Sequence, residues 1–468
     1  NLASDPGADV GAAFADYAAL KAAGVTFEND FWTMVDGVPV PKNLIKNAGA
    51  SITNAVVTIP DSQKTLTITS SHPFMAYSLD EAAIDAGLTI SGNGVTIPEN
   101  ATVSTFTVTA KSLLNAEVTA SKTFYLVTSE VITVADEKEV DMQATEDVTF
   151  DLTSYNVSGD LTSATLGGAT IDLANVTFEN GTLTIAKSAL GNAYGEKALV
   201  VGFEAKSGEV VTKITTVNVN LLCVTKYISE ASDLTGDGLL NATVLENGIR
   251  GGYFVQTKNI SVSNERIGFG TWIGDNEMWG DYGFYGVYDG RGYTIDGVTQ
   301  SGNNVGMFAC LNGTVKNLVF TNATVSGNTG FIATELNGTV ENVAVYGSLE
   351  GAEVWAPVSL LVSKNEKGHI NRCLVELKSC SWYTEGYAGI VVGRLNTNNS
   401  PTISDCIAIN LSEKTALSAA GSGDYTANNV RTFASYDALK AADIDYSGWA
   451  NDFWAIVNGV PTPKKLVA

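Results

Sequence analysis

The sequence has few basic residues and no long apolar run. Lys and Arg together number 27 against 50 Asp and Glu, which gives a net charge of −23. So acidic a chain lacks the clustered basic residues that release counterions from a phosphate backbone, which excludes nucleic acid as its main partner. No apolar run approaches the roughly 18 residues that span a bilayer, so direct membrane insertion is not expected.

The chain is also poor in residues that bind metals or form disulfides. It contains five cysteines, with no Cys-x-x-Cys pair, and two histidines, His72 and His369, that lie far apart. These spacings give no zinc ribbon, no redox motif and no histidine-rich metal site. We therefore expect buried thiols that pack as small hydrophobic residues, and no cofactor.

What the chain does contain is typical of a β protein. Hydrophobic residues make up 45% of it and charged residues only 16%, which excludes wholesale disorder. The 46 glycines suit many short strands joined by tight turns. The composition therefore predicts an all-β fold.

Two segments near the ends of the chain share one pattern. Residues 14–45 (FADYAALKAAGVTFENDFWTMVDGVPVPKNLI) match 433–466 (FASYDALKAADIDYSGWANDFWAIVNGVPTPKKL) at an offset of 419 residues, which becomes 422 after a three-residue insertion. Each copy predicts a short helix, an aromatic pair and a hairpin. The turn dipeptides, Asp36-Gly37 and Asn458-Gly459, are residues that tolerate positive φ.

This duplication predicts one period of a longer tandem array. The alternative is that the two copies are small caps of one self-contained protein. In the array, the aromatic pairs Phe31-Trp32 and Phe453-Trp454 are the candidate assembly residues, and the tails dock copies of the chain head-to-tail. A heterologous contact of that kind propagates into a filament.

The middle of the chain predicts two similar domains. Residues 46–128 and 129–222 alternate strand-like runs with turn signals, for example the hairpin Val176–Ile185 around Asn180-Gly181. Segments of about 85–95 residues with roughly seven short strands have the size of an immunoglobulin-like sandwich. They resemble bacterial Ig-like modules, which lack the disulfide of antibody domains. A spacer role is expected for both.

The second half of the chain repeats a seven-residue pattern, here called a rung, at 314–320, 339–345, 369–375 and 402–408. Rungs begin at Thr314, Thr339, His369 and Thr402, which lie 25, 30 and 33 residues apart. Positions 2, 5 and 7 of each rung are apolar; position 5 includes Cys373 and Cys406, which are expected to be core residues. One apolar set every 20–35 residues or so predicts a solenoid, because each coil can bury its face only against its neighbours.

The stretch before these rungs carries a family resemblance. Residues 252–261 (GYFVQTKNIS) and 284–295 (FYGVYDGRGYTI) are followed by glycine-centred segments at 306–308 and 330–332. These motifs resemble GLUG-type right-handed β-helix domains from about residue 225 to residue 468, with Ile260-Ser261 in place of the usual Ile-Asp. The resemblance implies a secreted bacterial cell-surface protein with an adhesive or scaffolding role, and it supplies no catalytic residue.

Two aromatic segments are the candidate ligand-binding sites. Aromatic faces beside carboxylates can stack on sugars and hold their hydroxyl groups. For the first segment, residues 269–288, the alternative is a cap over the first coil. The second segment lies between two rungs, where a solenoid places protruding loops. The candidate glycan-binding residues are Trp272, Asp275, Trp279, Asp281, Tyr282, Trp382 and Tyr383.

The chain offers one candidate calcium loop and four carboxylates as candidates for catalysis. Asp233, Thr235 and Asp237 have the spacing of a calcium loop, but Val244 stands where a bidentate carboxylate is needed, so a solvated linker is preferred. A polysaccharide lyase or hydrolase needs converging carboxylates. The candidates fall on different rung positions and are not expected to converge: Asp289, Asp296, Glu341 and Asp405.

Together these patterns predict an all-β protein. Two Ig-like β-sandwiches (46–128 and 129–222) precede a right-handed parallel β-helix (223–430), with a short duplicated helix-and-hairpin tail at each end (1–45 and 431–468). The predicted function is a non-enzymatic extracellular segment of a bacterial surface protein, an adhesin or stalk that binds host or microbial glycans or proteins. The alternative is a structural repeat of a surface layer or self-assembling filament, joined through the tails.

Overall fold

The computed structural model is an almost entirely β protein. About half of the residues lie in strands and a tenth in helices, which confirms the predicted all-β class. Within the described part of the chain, no helix is long and apolar enough to cross a membrane. The residues that the structure describes are 14–46, 49–60, 62–99, 101, 103–115, 117–236, 238–246, 249–268, 283–303, 305–327, 329–350, 357–381, 387–396, 399–422 and 426–467.

The N-terminal tail, described from residue 14 to residue 46, forms the helix and hairpin that the sequence predicts. Asp16 caps its first helix by accepting a hydrogen bond from the Ala19 backbone at 2.8 Å. Asp36 and Gly37 have φ values of 46° and 72°, which the tight hairpin turn requires. The elements of the tail are the helix Tyr17–Ala22, the strands Trp32–Val35 and Val38–Pro41, and the helix Lys42–Lys46.

Residues 49–128, here the first β-unit, place a three-stranded sheet over part of a larger one. Phe106 and Phe124 stack at 5.5 Å between centroids and are fully buried in the shared core. The small sheet consists of Thr65–Thr67, Thr89–Ser91 and Gly94–Thr96. The other elements are Thr58–Pro60, Met75–Leu79, the helix Glu81–Asp85, Thr105–Ser112 and the start of Thr119–Thr133.

Residues 129–224, the second β-unit, repeat this two-layer arrangement. The hairpin predicted around Asn180-Gly181 is present, with φ values of 50° and 80° at the two turn residues. Its small sheet contains Val148–Asp151, Val176–Glu179 and Thr182–Ile185. The larger sheet contains Lys138–Asp141, Asp160–Leu166, Ala169–Thr170, Gly195–Ser207 and Val210–Val224. Short 3₁₀ turns lie at Thr153–Tyr155, Leu173–Asn175 and Lys187–Leu190.

One strand joins the two β-units. Thr119–Thr133 pairs antiparallel with Thr105–Ser112 of the first unit and parallel with Val210–Val224 of the second. The larger sheets of the two units are therefore one nine-stranded sheet. This strand crosses residue 128, where the sequence pattern places a domain boundary.

Residues 225–433, here the strand stack, alternate between two mainly parallel sheets. A short 3₁₀ turn (Ala231–Asp233) and a helix (Gly238–Asn241) precede the regular coils. The fourteen-stranded sheet contains Lys226–Ile228, Tyr253–Gln256, Ile260–Ser261, Val287–Asp289, Thr294–Asp296, Thr299–Ser301, Thr314–Ser326, Thr339–Leu349, His369–Asn371, Leu374–Cys380, Thr402–Ser404, Ile407–Asn410, Thr426–Asn428 and Arg431–Phe433. The eight-stranded sheet contains Val244–Glu246, Ile249–Gly251, Gly283–Phe284, Phe308–Leu311, Ala333–Leu336, Val362–Asn365, Val392–Leu395 and Ala420–Ser422. A small third sheet pairs Val358–Ser359 with Ala388–Gly389.

The rungs predicted from the sequence are in register. Leu318 pairs with Val343 at rung position 5. At position 6 the successive pairs join Val319, Ala344, Leu374 and Ile407. Rung positions 2, 5 and 7 point into one continuous core, which confirms the predicted inward set. Each of these residues is completely buried: Val315, Leu318, Phe320, Val340, Val343, Val345, Ile370, Cys373, Val375, Ile403, Cys406 and Ala408.

Rung position 4 forms a column of turns. Its residues have φ values between 47° and 57°, a region that Asn and Asp tolerate better than other non-glycine residues. Asn317 Nδ2 donates to Asp289 Oδ1 at 3.0 Å, and Asn342 Nδ2 donates to Asn317 Oδ1 at 3.1 Å. Neighbouring coils are thus tied by side chains as well as by backbone pairing. The column is Asn317, Asn342, Arg372, Asp405 and Asn429.

Candidate functional site on the outer face of the strand stack

An apolar stripe runs down the outside of the strand stack. Rung position 6 lies between inward positions 5 and 7, so its side chains point away from the core, because successive side chains in a strand alternate. Val319, Ala344 and Leu374 are nevertheless completely buried, and Ile407 is 3% exposed. The sequence analysis missed this stripe, although all four residues are apolar and are separated by the rung spacing.

The C-terminal tail covers this stripe. Its elements are the helix Tyr436–Lys440, the strands Trp454–Val457 and Val460–Pro463, and the helix Lys464–Val467. Its large side chains form one cluster with the stripe and with Ile409. Burying each aromatic ring stabilises this contact by about 1.5–3 kcal/mol. The tail residues of the cluster are Leu439, Trp449, Phe453, Trp454 and Val460.

The aromatic rings of the C-terminal tail hold one another in defined positions. Trp454 contacts Trp449 at 5.0 Å and Phe453 at 4.7 Å between centroids, in edge-to-face arrangements that such rings prefer. Asn451 Oδ1 accepts hydrogen bonds from the backbone N–H groups of Phe453 and Trp454, both at 2.9 Å. The turn before the hairpin therefore orients both rings toward the stripe.

Polar contacts fix the tail at the edge of the stripe. Asn451 Nδ2 donates to Asn342 Oδ1 of the turn column at 3.2 Å. Tyr436 Oη donates to Glu376 Oε2 on the stack. Burial, and then the hydrogen bond to Glu376 and its charge, raise the pKa of Tyr436. Lys465 lies over the ring of Tyr293, a cation–π contact.

The N-terminal tail has the same local geometry in a different environment. Asn29 Oδ1 accepts from the backbone N–H groups of Phe31 and Trp32, both at 2.8 Å. Trp32 contacts Phe31 at 5.3 Å and Phe27 at 6.0 Å, again edge-to-face. However, Phe31 is 55% exposed, whereas the equivalent Phe453 is 5% exposed.

The other face of the N-terminal hairpin is buried and lies near the first β-unit. Val38 and Val40 are 3% and 0% exposed. A cavity of about 220 Å³ lies between Val38 and the segment 73–76 of the first β-unit, and a second cavity of about 370 Å³ lies between Leu44 and that unit. The N-terminal tail therefore lies beside the first β-unit, with its valine face buried and its aromatic face partly open.

All of the predicted glycan-binding residues lie outside the residues that the structure describes. Asp237 of the calcium candidate also lies outside the described residues. The glycan-binding candidates outside them are Trp272, Asp275, Trp279, Asp281, Tyr282, Trp382 and Tyr383. These assignments stay predictions.

The described part of the calcium candidate is engaged by the protein itself. Asp233 Oδ1 pairs with Lys226 at 2.7 Å, and its Oδ2 accepts from the backbone of Ser229 and Glu230. Burial opposes ionisation, but these contacts lower the pKa of Asp233. Thr235 forms an isolated bridge with Ile267. Among the described residues, no three His, Cys, Asp or Glu side chains are grouped as a metal site.

The carboxylates considered for catalysis are arranged differently from the sequence expectation. Asp289 and Glu341 were expected on different rung positions, but both pair with Lys316 and so occupy one column. The expectation is wrong because the turn after Asp289 differs in length from the later turns. Lys316 lies between the two and approaches Asp289 at 3.7 Å. Asp296 instead accepts from Thr321 and Asn322 at 2.7 and 2.8 Å.

Comparisons with known proteins are weak. No protein-family model and no curated protein matches the chain. A tri-modular GH5 endo-β-1,4-glucanase from Bacillus licheniformis, complexed with cellotetraose, matches 40% of this chain and 39% of that chain at 14% identity and a TM-score of 0.19. The Bacteroides ovatus mixed-linkage glucan utilization locus protein SGBP-B, in complex with a mixed-linkage heptasaccharide, matches 37% of this chain and 45% of that chain at 11% identity and a TM-score of 0.14.

A third solved structure, mouse cadherin-23 EC22–24, matches 38% of this chain and 65% of that chain at 11% identity and a TM-score of 0.13. The chain spans less than two thirds of the length of each of these three proteins. TM-scores this low establish neither a shared fold nor a shared function.

Proposed function

We propose that this chain is a non-catalytic, extended segment of a bacterial cell-surface protein of the GLUG type. In this proposal the two β-units are Ig-like spacers and the strand stack is a right-handed parallel β-helix. The observation that carries it is the in-register repetition of the same buried rung positions in successive coils. Because each coil packs only on its neighbours, such a stack is a rigid scaffold suited to a stalk or adhesin.

The environment of the carboxylates supports a structural role rather than catalysis. Asp405 Oδ1 accepts from Asn429 Nδ2 at 2.9 Å within the turn column. Glu341 pairs with Arg372 at 3.3 Å. These contacts tie one coil to the next, which is a structural role for both carboxylates. We expect no turnover of pectin-like or mucin-like polysaccharides.

The proposed stalk or adhesin function is tested by measuring the shape of the particle in solution and its binding of ligands. Small-angle scattering of the purified chain is expected to give an elongated particle, and a compact particle contradicts the proposal. A screen against host and microbial glycans then tests the adhesin role. Trp272→Ala and Trp279→Ala are expected to abolish binding without lowering the melting temperature. A loss of stability in these variants would instead support the cap role of that segment.

Assembly through the duplicated tails is a second candidate function. One observation favours it: the same aromatic pair is buried in the C-terminal tail and partly exposed in the N-terminal tail. Negative-stain electron microscopy at high protein concentration distinguishes the two functions. Regular filaments with a repeat of one chain favour assembly, and isolated rods favour the stalk or adhesin.

A further inference from the structure

The aromatic face is covered in the C-terminal tail and partly exposed in the N-terminal tail, so the two tails can be compared directly. The aromatic residues Trp449, Phe453 and Trp454 of the C-terminal tail correspond to Phe27, Phe31 and Trp32 of the N-terminal tail. The first set lies in the core against the stripe, where Trp449 and Trp454 are completely buried. In the second set Phe31 is exposed, and Phe27 and Trp32 are half-buried.

The local geometry that presents the rings is the same in both copies. Asn29 and Asn451 each accept two backbone hydrogen bonds at 2.8–2.9 Å from the aromatic pair that follows. The backbone N–H of Lys42 donates to Phe31 O at 2.8 Å, and that of Lys464 donates to Phe453 O at 2.9 Å. The N-terminal rings are therefore already held in the arrangement that binds the stripe in the other copy, which lowers the entropy cost of docking.

The hairpin register separates the two faces of the tail. Trp32 pairs with Pro41 on one face, whereas Val35 pairs with Val38 on the opposite face. The valine face, with Val38 and Val40, is buried. A partner can therefore cover the aromatic face while the valine face stays buried.

We propose that the aromatic face of the N-terminal tail, formed by Phe27, Phe31 and Trp32, docks on the strand stack of a second copy of this chain. The target is the stripe of Val319, Ala344, Leu374 and Ile407, with Asn29 taking the place of Asn451 at Asn342. The partner is this chain itself because its stripe already binds the equivalent rings. The inference rests on the second candidate function and names its contact surface.

The C-terminal tail competes for the same stripe. It is attached to the stack by the few residues after Phe433, so its effective concentration at the stripe is high. Intact chains therefore stay monomeric at low concentration, and docking by a second copy requires that the C-terminal tail be displaced. The contact is heterologous, so exchange of tails builds a head-to-tail chain rather than a closed dimer.

Sedimentation of full-length variants tests this surface. The double variant Phe453→Ala/Trp454→Ala weakens the docking of the C-terminal tail on the stripe. It is expected to convert the monomer into dimers and longer species. Adding Trp32→Ala to that variant is expected to restore the monomer. Trp32→Ala alone is the matched control, and it is expected to stay monomeric and to lower the melting temperature only slightly. If the double variant Phe453→Ala/Trp454→Ala stays folded and monomeric, the proposal is overturned. Self-association of the double variant that persists when Trp32→Ala is added also overturns it.

A milder variant keeps the test informative if the double variant does not fold. Asn451→Ala removes the hydrogen bond to Asn342 and the two that orient the aromatic pair, but it keeps every aromatic side chain of the tail. It is expected to self-associate in a manner that Trp32→Ala reverses, and a folded, monomeric Asn451→Ala overturns the proposal. If the Trp32→Ala variant forms filaments as readily as the unsubstituted chain, the proposed contact surface is wrong. Assembly as a function would then still stand.

Discussion

Arg291 of the strand stack forms an ion pair with Glu139 of the second β-unit through both of its terminal nitrogens. Tyr227 Oη donates to the same carboxylate at 2.5 Å. Burial by itself would raise the pKa of Glu139, but the hydrogen bonds from Arg291 and Tyr227 and the charge of Arg291 hold it below the usual 4.5. These three side chains connect the second β-unit to the stack.

The first prediction concerns the pH dependence of this connection. We expect Arg291→Ala to lower the free energy of unfolding by less than about 1 kcal/mol at pH 7, because both side chains are partly exposed to solvent. Since the pKa of Glu139 is lower in the folded state, the stabilisation is complete above the usual 4.5 and is lost as the pH falls through the folded value.

Thermal unfolding from pH 7 to pH 3 checks this prediction. The difference in melting temperature between the wild-type chain and Arg291→Ala should shrink toward acid pH. Lys440→Ala is the control, because its partner Asp437 lies only three residues away and 93% of the Asp437 side chain is accessible to solvent. A difference that stays constant down to pH 3 contradicts the assignment to Glu139.

The second prediction compares equivalent tryptophans in the two tails. We expect Trp454→Ala to destabilise the docked C-terminal tail by about 3–5 kcal/mol, because it empties a fully buried site. Trp32→Ala removes a half-buried ring and should cost less than about 1 kcal/mol. Amide exchange in residues 454–463 should accelerate in the first variant. Equal effects of the two substitutions would show that the tails do not differ in packing.

The third prediction concerns the turn column. Asn342 has a φ of 50°, donates to Asn317, and accepts from Arg372 Nε at 3.0 Å and from Asn451. Asn342→Ala should cost about 2–4 kcal/mol, since it adds left-handed strain of about 1–2 kcal/mol to the lost hydrogen bonds. Asn342→Gly loses the same hydrogen bonds without the strain.

Chemical denaturation of the two variants separates these contributions. Asn342→Gly should be more stable than Asn342→Ala by about 1–2 kcal/mol. If alanine is tolerated as well as glycine, the backbone at this position does not need its left-handed conformation.

The fourth prediction concerns the close approach of neighbouring coils. A Cβ atom on Gly338 would lie 2.0 Å from the carbonyl oxygen of Gly313, which belongs to the backbone and cannot move aside. Gly338→Ala should therefore separate two coils and cost about 3 kcal/mol or more. Gly448→Ala is the control, because no atom lies within 4 Å of its Cβ position. Circular dichroism melting checks both, and equal stability of the two variants would contradict the tight stacking.

The rungs could be predicted from the sequence because their determinants are local. Alternation along a strand and the repeat of apolar residues identify positions 2, 5 and 7 as inward, and all twelve residues at these positions in the four rungs are completely buried. The tail hairpins are equally local, since Asp36-Gly37 and Asn458-Gly459 adopt positive φ in both copies.

The burial of rung position 6 could not be predicted from the local pattern. Val319 and Leu374 are apolar residues on an outward position, and their burial depends on a tail that lies far away in the sequence. The register of Asp289 and Glu341 also depends on turn lengths that the rung pattern does not determine. Both features come from how distant segments are brought together.

The sequence alone determined the class of this protein, its repeated rungs and the identity of its two tails, because period, turn chemistry and duplication are readable along the chain. That one tail buries its rings while the other exposes them depends on tertiary contacts. Phe31 and Phe453 follow the same Asn-Asp pair and precede the same tryptophan, yet their exposures are 55% and 5%. Burial is a property of the neighbouring surface, and only the second copy has the strand stack against it.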